Sequence, residues 1–230
     1  MELLIETRRE EEVGVVLMNR PAQKNAMNTL MLEALIPAIT AFAQDSTIGM
    51  VITGVGGVFS AGADIAEQPD SAGALRRMQL FADLYQAVVT FPKPSVAAIS
   101  GACVGGGAEV SAGCDLRVAT ASARIRFPGA QFGIPIGSAR LPLLVGYSHA
   151  KDLLMTARTV DGEEAFRMGL VNRLVEEDSL APAALELVKQ MAANPGSVTQ
   201  KVLLNEVSML EERTSEENTK LMQWQEGALK

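Results

Sequence analysis

Apolar residues along the chain fall into short blocks parted by glycine, proline and charged turns, and the period inside each block predicts its element. Residues 3–7 and 13–18 are β-favouring runs on either side of the charged link RREEE, which predicts an antiparallel hairpin. Arg20-Pro21 ends it. Asn28 offers a helix cap, after which Leu32, Leu35, Ile36, Ile39 and Phe42 recur at helical spacing as far as Gln44, with Pro37 as a point of kinking. Residues 50–53 predict a strand that runs into the glycine-rich loop GVGGVFSAGADI, and residues 74–91 a second helix closed by Pro92 and Pro94.

Strand 96–99, a glycine turn, a helix over 109–114 and strand 116–119 follow in succession, the order of a βαβ unit. A loop with Pro128, Gly129, Gly133, Pro135 and Gly137 comes next. Helices are predicted over 141–145, 149–156 and 163–168, and a last strand over 170–175. From Leu180 the pattern is helical, broken at Asn194-Pro195-Gly196. Its apolar residues, among them Met209, Leu210, Leu221, Met222 and Trp224, predict packing on the body or on a neighbouring subunit. A soft boundary near 178 divides a core, 1–177, from a helical C-terminal region, 178–230.

Composition narrows the class. The chain has 230 residues, 48% of them hydrophobic and only 4% aromatic, as expected of a layered α/β protein with a sizeable core. A formal net charge of -7 and scattered Lys and Arg leave no basic stripe for nucleic acid. The N-terminal stretch has acids and no hydrophobic signal region, and no apolar run reaches the ~18 residues of a membrane span; a cytoplasmic protein is expected. Cys103 and Cys114 lie among small apolar residues and read as buried free thiols, without the spacing of a metal site.

Two glycine-rich loops carry the candidate chemistry. Gly105, Gly106 and Gly107 lie between a strand and a helix. Such glycines serve a tight turn, or they leave helix N-terminal N–H groups open to an oxygen that gains negative charge. Glu109 lies three residues past Gly106, on the same helical face. It reads either as an acid favoured by the helix dipole or, among Ala108, Val110, Ala112 and Cys114, as a carboxylate facing a tight cavity, its proton affinity raised by desolvation. The earlier loop, 54–65, lacks the Lys-Ser/Thr of a phosphate loop and the spacing of a dinucleotide loop. It offers a second set of backbone donors around 61–65.

The strings RPAQKNAMN, FSAGADI, KPSVAAISGACVGGGAEVSAGCD and TARTVDGEEAFRMGLVNRLVEED resemble the crotonase superfamily, the enoyl-CoA hydratase/isomerase group, in the same order and over about residues 5–195. The resemblance implies a ββα-repeat spiral core with a C-terminal helical region, trimers or hexamers, and acyl-CoA thioesters as substrates, with coenzyme A part of the substrate and no separate cofactor or metal. It implies that the Ala63 and Gly106 N–H groups polarise the thioester carbonyl and stabilise an enolate. Lys24, Ala26, Ala61, Asp64, Ile65 and Ala66 would lie along coenzyme A, and Glu109 would match the first hydratase carboxylate.

One departure bears on the reaction. Hydratases of the family carry a second Glu after a proline about 20 residues past the first, and here IRFPGAQFG puts Gly129 after Pro128. A glycine moves no proton, and loss of one general acid/base costs about 10²- to 10⁴-fold. The expected activity is hydration or double-bond isomerisation of an enoyl-CoA with Glu109 as the one proton-transfer carboxylate. The alternative is an acyl-CoA-binding protein with little turnover. Gln131 reads as an exposed loop residue, Asp64 and Asp115 as structural carboxylates, and His149, without a nucleophile partner, as a surface residue.

Overall fold

A computed structural model describes residues 3–228. Strands β1 (Ile5–Glu10) and β2 (Val13–Met18) pair antiparallel, so the predicted hairpin is present with its first strand longer than its apolar run. Helix α1 (Thr29–Gln44) is capped by the Asn28 side chain, which accepts from the Met31 N–H, and it continues through Pro37. After β3 (Gly49–Gly54), helix α2 (Ser71–Val89), β4 (Ser95–Ile99) and the short β5 (Ala102–Val104) lead into α3 (Gly106–Gly113). Strands β6 (Leu116–Ala119) and β7 (Arg124–Arg126), helix α4 (Leu141–Thr156), β8 (Thr159–Asp161), α5 (Gly162–Arg167) and β9 (Arg173–Leu174) complete the core. Helices α6 (Leu180–Ala192), α7 (Ser197–Ser208) and α8 (Leu210–Ala228) form the C-terminal part.

Strands β1, β2, β3, β4, β6 and β9 form one sheet in that order, parallel after the first pair, while β5, β7 and β8 form a second. The chain steps from the large sheet to the small one and then into a helix, as in β4-β5-α3 and β6-β7-α4. That is a ββα repeat wound into a spiral. Alternation along each strand divides the core in two. Met50, Ile52, Ala97 and Ile99 face α1, α2 and α3. Their sequence neighbours Val51, Val96 and Ala98 face Leu180, Ala184, Leu187 and Val188 of α6. Strands covered on both faces are apolar throughout, and every residue of β2 is buried.

Several predicted bounds are corrected. Helix α3 opens at Gly106 rather than at 109, because Gly105 at φ 53° turns the chain and the helical ladder starts at once, the Glu109 N–H donating to the Gly105 carbonyl. The helices expected over 141–145 and 149–156 are one element bent at Gly146, whose φ of 73° is outside the helical range. Only Arg173–Leu174 of the strand expected over 170–175 pairs with β6. Strands β5, β7 and β8, three residues each, were not expected. The tail breaks a second time at Met209, in the left-handed conformation between α7 and α8. Helix α8 lies against α2, with the Asn218 amide donating to the Ala82 carbonyl.

Candidate active site

Two parallel bridges fix the 54–65 loop, and the second ties it to the strand that leads into the 105–107 glycine turn. In the first, Met27 pairs with Ala63: the Met27 N–H donates to the Gly62 carbonyl at 2.7 Å and the Met27 carbonyl accepts from the Asp64 N–H at 2.9 Å. In a parallel bridge the residue flanked by both bonds turns its own N–H the other way. Ala63 is that residue. In the second bridge Ser60 pairs with Cys103, its N–H donating to Ala102 and its carbonyl accepting from Val104. The loop therefore lies against the turn that opens α3. A Cβ added at Gly62 would stand 2.5 Å from the Val104 carbonyl and 3.3 Å from the Gly106 nitrogen, and φ there is +89°; only glycine allows this approach.

Gly106 is the first residue of α3, so its N–H precedes the first intrahelical bond. No acceptor is paired with the Ala63 or Gly106 N–H among the described residues. Their surroundings differ. Ala63 is exposed, whereas Gly106 is buried under the Phe81 ring, the Met27 methyl and the Tyr85 hydroxyl, which would lie 2.8, 2.9 and 3.2 Å from a Cβ at that position.

The loop before these residues is held rigidly. Asn25, wholly buried, accepts from the Arg20 N–H at 2.8 Å and donates to the Val55 and Val58 carbonyls at 3.0 and 2.7 Å. Arg20 spans to Asp64 at 2.9 Å. Burial pushes the Asp64 carboxyl up, and Arg20 with the Ala66 N–H more than offsets it, so Asp64 is held below the usual range. Asp64 is thus bonded as the structural carboxylate expected of it. Lys24 and Ala61 are joined by a backbone bond of 2.9 Å, Ala26 is buried beside them, and Lys24, Ile65 and Ala66 are exposed, Ile65 at 91%. The six residues expected along coenzyme A come from two segments, 24–26 and 61–66, that are joined by the Lys24–Ala61 bond and the Met27–Ala63 bridge.

Glu109 projects from the first turn of α3 into an enclosed network. Arg140, at the N-cap of α4, donates to its Oε2 from Nε at 3.1 Å and also from Nη2. The same Nη2 donates to Glu217 Oε1 at 2.7 Å, and Nη1 to the Thr214 hydroxyl at 3.2 Å. Glu217 Oε2 accepts from the Ser138 hydroxyl and the Ala139 N–H at 2.8 and 2.9 Å. The guanidinium carbon stands 5.3 Å from the centroid of the Tyr85 ring. Glu109 Oε1 makes no hydrogen bond of good geometry, although the Gly137 backbone lies beside it.

Burial is the largest influence on the Glu109 carboxyl and raises it; Arg140 lowers it, Glu217 raises it again, the Gly137 backbone lowers it, and it comes to rest at about 7. Tyr85, buried and near Glu109, is pushed well above its ordinary value and stays a phenol. Burial likewise raises both cysteine thiols to about 12, which leaves them inert as nucleophiles.

Gly129, which stands in the sequence where the family's second Glu would be, has no room for a side chain. A Cβ there would meet the Ile134 carbonyl at 2.5 Å and Ile136 Cγ1 at 2.8 Å, so the chain itself occupies the position. Gln131 is exposed and accepts from Arg126 at 2.6 Å, His149 is exposed, and Asp115 bonds Ser95 and Lys201 at 2.8 and 2.9 Å. Sequence reasoning missed Arg140, Glu217 and Tyr85. The available signal for Arg140 was a lone Arg in the apolar string IPIGSARLPLL. Arg140 also lines a cavity of about 760 Å³ at the far end of α3, walled by Ala112, Cys114, Leu144, Lys201 and Leu204.

Comparison with known proteins defines the class. A model of the enoyl-CoA hydratase/isomerase family matches residues 8–225, and the chain belongs to that family, within the crotonase superfamily of enzymes. A crotonyl-CoA hydratase of Syntrophomonas wolfei is 39% identical over 181 residues, 76% of this chain and 70% of that protein. The solved structure of a probable enoyl-CoA hydratase from Mycobacterium smegmatis superposes with a TM-score of 0.85 at 29% identity, covering 98% of this chain and 95% of that one. A monofunctional enoyl-CoA isomerase from the same species gives 0.76 at 29% identity, over 89% and 93% of the two chains.

Proposed function

We propose that this protein binds an acyl-CoA thioester along the segments 24–26 and 61–66, with the carbonyl oxygen between the Ala63 and Gly106 N–H groups and Glu109 as the proton carrier. Preorganised donors of this kind stabilise an enolate oxygen without reorganising during the reaction. The observation that carries the reading is the approach of the two loops. Gly62 has no side chain where it nears the Gly106 nitrogen, and the N–H groups on either side are unpaired.

One carboxylate suffices to move a double bond. Oε1 of ionised Glu109 takes a proton from C2 of a 3-enoyl-CoA, the electron pair shifts through the enolate, and the same proton returns to C4 of the resulting 2-enoyl-CoA. No atom is gained or lost. Hydration places larger demands on a single group, which must take a proton from water as it attacks C3 and return one to C2. Isomerisation is therefore the better supported reaction, with hydration slower by the ~10²- to 10⁴-fold that a missing acid/base costs. The names of the hydratase and isomerase relatives above support this substrate class. A second reading, acyl-CoA binding with little turnover, is favoured by the hold of Arg140 on Glu109 and by the closure of both side chains from solvent.

A crystal of the protein with a bound acyl-CoA tests the reading. The thioester oxygen is expected ~3 Å from both the Ala63 and the Gly106 nitrogen. A thioester bound elsewhere, or an oxygen meeting neither donor, would overturn it.

A further inference from the structure

Two buried carboxylates, Glu109 and Glu217, from separated parts of the chain, share one cation, Arg140. Arg140 is 1% exposed, Glu109 0% and Glu217 3%. With all three ionised the cluster carries one net negative charge, and desolvation makes a buried unpaired charge costly. The bonding is unequal. Both oxygens of Glu217 are engaged, by Arg140, Ser138 and the Ala139 N–H, whereas Oε1 of Glu109 has only the Gly137 backbone beside it. Glu109 in turn raises two further groups, Tyr85 on α2 and Cys103 on β5. Neither competes for the Arg140 hydrogen bonds.

We propose that Glu217 is a positioning residue for proton transfer: reaching in from α8, it takes part of the charge and one donor of Arg140, and so fixes both the orientation of Glu109 and its readiness to hold a proton. Glu217 touches no reacting atom. It acts through Arg140, and it makes the C-terminal helix part of the proton-transfer apparatus. The role in turnover rests on the assignment of Glu109 as proton carrier, while the electrostatic link between the carboxylates is measurable without substrate.

Carboxyl-resolved carbon NMR of the full chain, labelled at glutamate, reads the link directly. In wild type Glu109 is expected to titrate near 7, where burial and Glu217 place it against the pull of Arg140. In Glu217→Gln one like charge is gone, and the Glu109 midpoint is expected to fall by about one pH unit or more. The acid limb of kcat/KM for 3-enoyl-CoA isomerisation should move down with it. Glu217→Asp, which keeps the charge, should restore the wild-type midpoint. An unchanged midpoint in folded Glu217→Gln, with only a lower melting temperature, would reduce Glu217 to a structural role and overturn the proposal. Should Glu217→Gln fail to fold, the wild type decides: the Glu217 carboxyl resonance is expected to shift as Glu109 titrates, and its indifference to that titration would also overturn it. Equal rates in wild type and Glu109→Gln would instead overturn the proposed function, an outcome distinguishable from either titration result.

Discussion

Arg140 holds Glu109 through two nitrogens on the same oxygen, Nε at 3.1 Å and Nη2, and neither side chain reaches solvent. A carboxylate held on Oε2 by Arg140, with only the Gly137 backbone beside Oε1, is oriented without being fully satisfied. A group meant only for stability would be expected to find partners for both oxygens. Oε1 is the oxygen assigned to the moving proton.

Removal of the shared cation should be severe. Arg140→Met leaves two buried carboxylates facing one another, and breaking a buried pair costs about 3–5 kcal/mol. Urea unfolding at pH 8 should show that loss, and at pH 5, where a carboxyl can take up a proton, a smaller one. Equal losses at both values would mean that the charges do not interact as the geometry implies.

The proton held by Glu109 links stability to pH. Its midpoint is raised from 4.5 to about 7, so between those values the folded protein binds more protons than the unfolded chain, and this group makes stability fall as pH rises. Its contribution is fully present below 4.5 and lost as pH passes 7. Glu109→Gln lacks that titration. Its stability relative to wild type should therefore climb between pH 5 and pH 8, measured by melting temperature; a difference constant across that range would contradict the raised midpoint.

Restoring the family's second carboxylate should fail. Glu at 129 would drive its Cβ into the Ile134 carbonyl and Ile136, and such overpacking costs about 1–3 kcal/mol. Gly129→Glu is expected to lose stability in chemical denaturation without a gain in crotonyl-CoA hydration. A hydration rate raised tenfold or more would show that the loop can yield to a catalytic side chain.

The approach of the two loops can be spoiled at a single residue. Gly62→Ala places a methyl against the Val104 carbonyl at a backbone angle that side chains rarely adopt, which should push the Ala63 and Gly106 donors apart. The loss of one such donor costs about 10²- to 10³-fold in kcat. A fall of that size in thioester turnover is expected, read beside a circular dichroism spectrum that shows the fold intact. Full activity would exclude these donors.

Strands β3 and β4 were legible because each is a short continuous apolar run bounded by turn residues, and α1 and α2 because their apolar stripes run several turns. Strands β5, β7 and β8 hold three residues each, too few to establish a period. The opening of α3 at Gly106 was hidden by glycine's poor helix propensity. Ala63, Gly106 and Glu109 were reachable from the glycine loops and the family resemblance. Arg140 and Glu217 stand 77 residues apart, and no spacing or periodicity links them; only the folding of α8 against α2 brings them together. The replacement at Gly129 could be read from the string, while the closing of that space by Ile134 and Ile136 is a matter of loop packing.

The central claim is that Glu109 carries the proton for enolate chemistry on an acyl-CoA, and turnover of 3-enoyl-CoA to 2-enoyl-CoA by wild type and Glu109→Gln tests it most directly. Gln keeps the shape and cannot take the proton, so kcat/KM should drop by about 10²- to 10⁴-fold, with acyl-CoA binding retained. Equal rates in the two proteins would contradict the account.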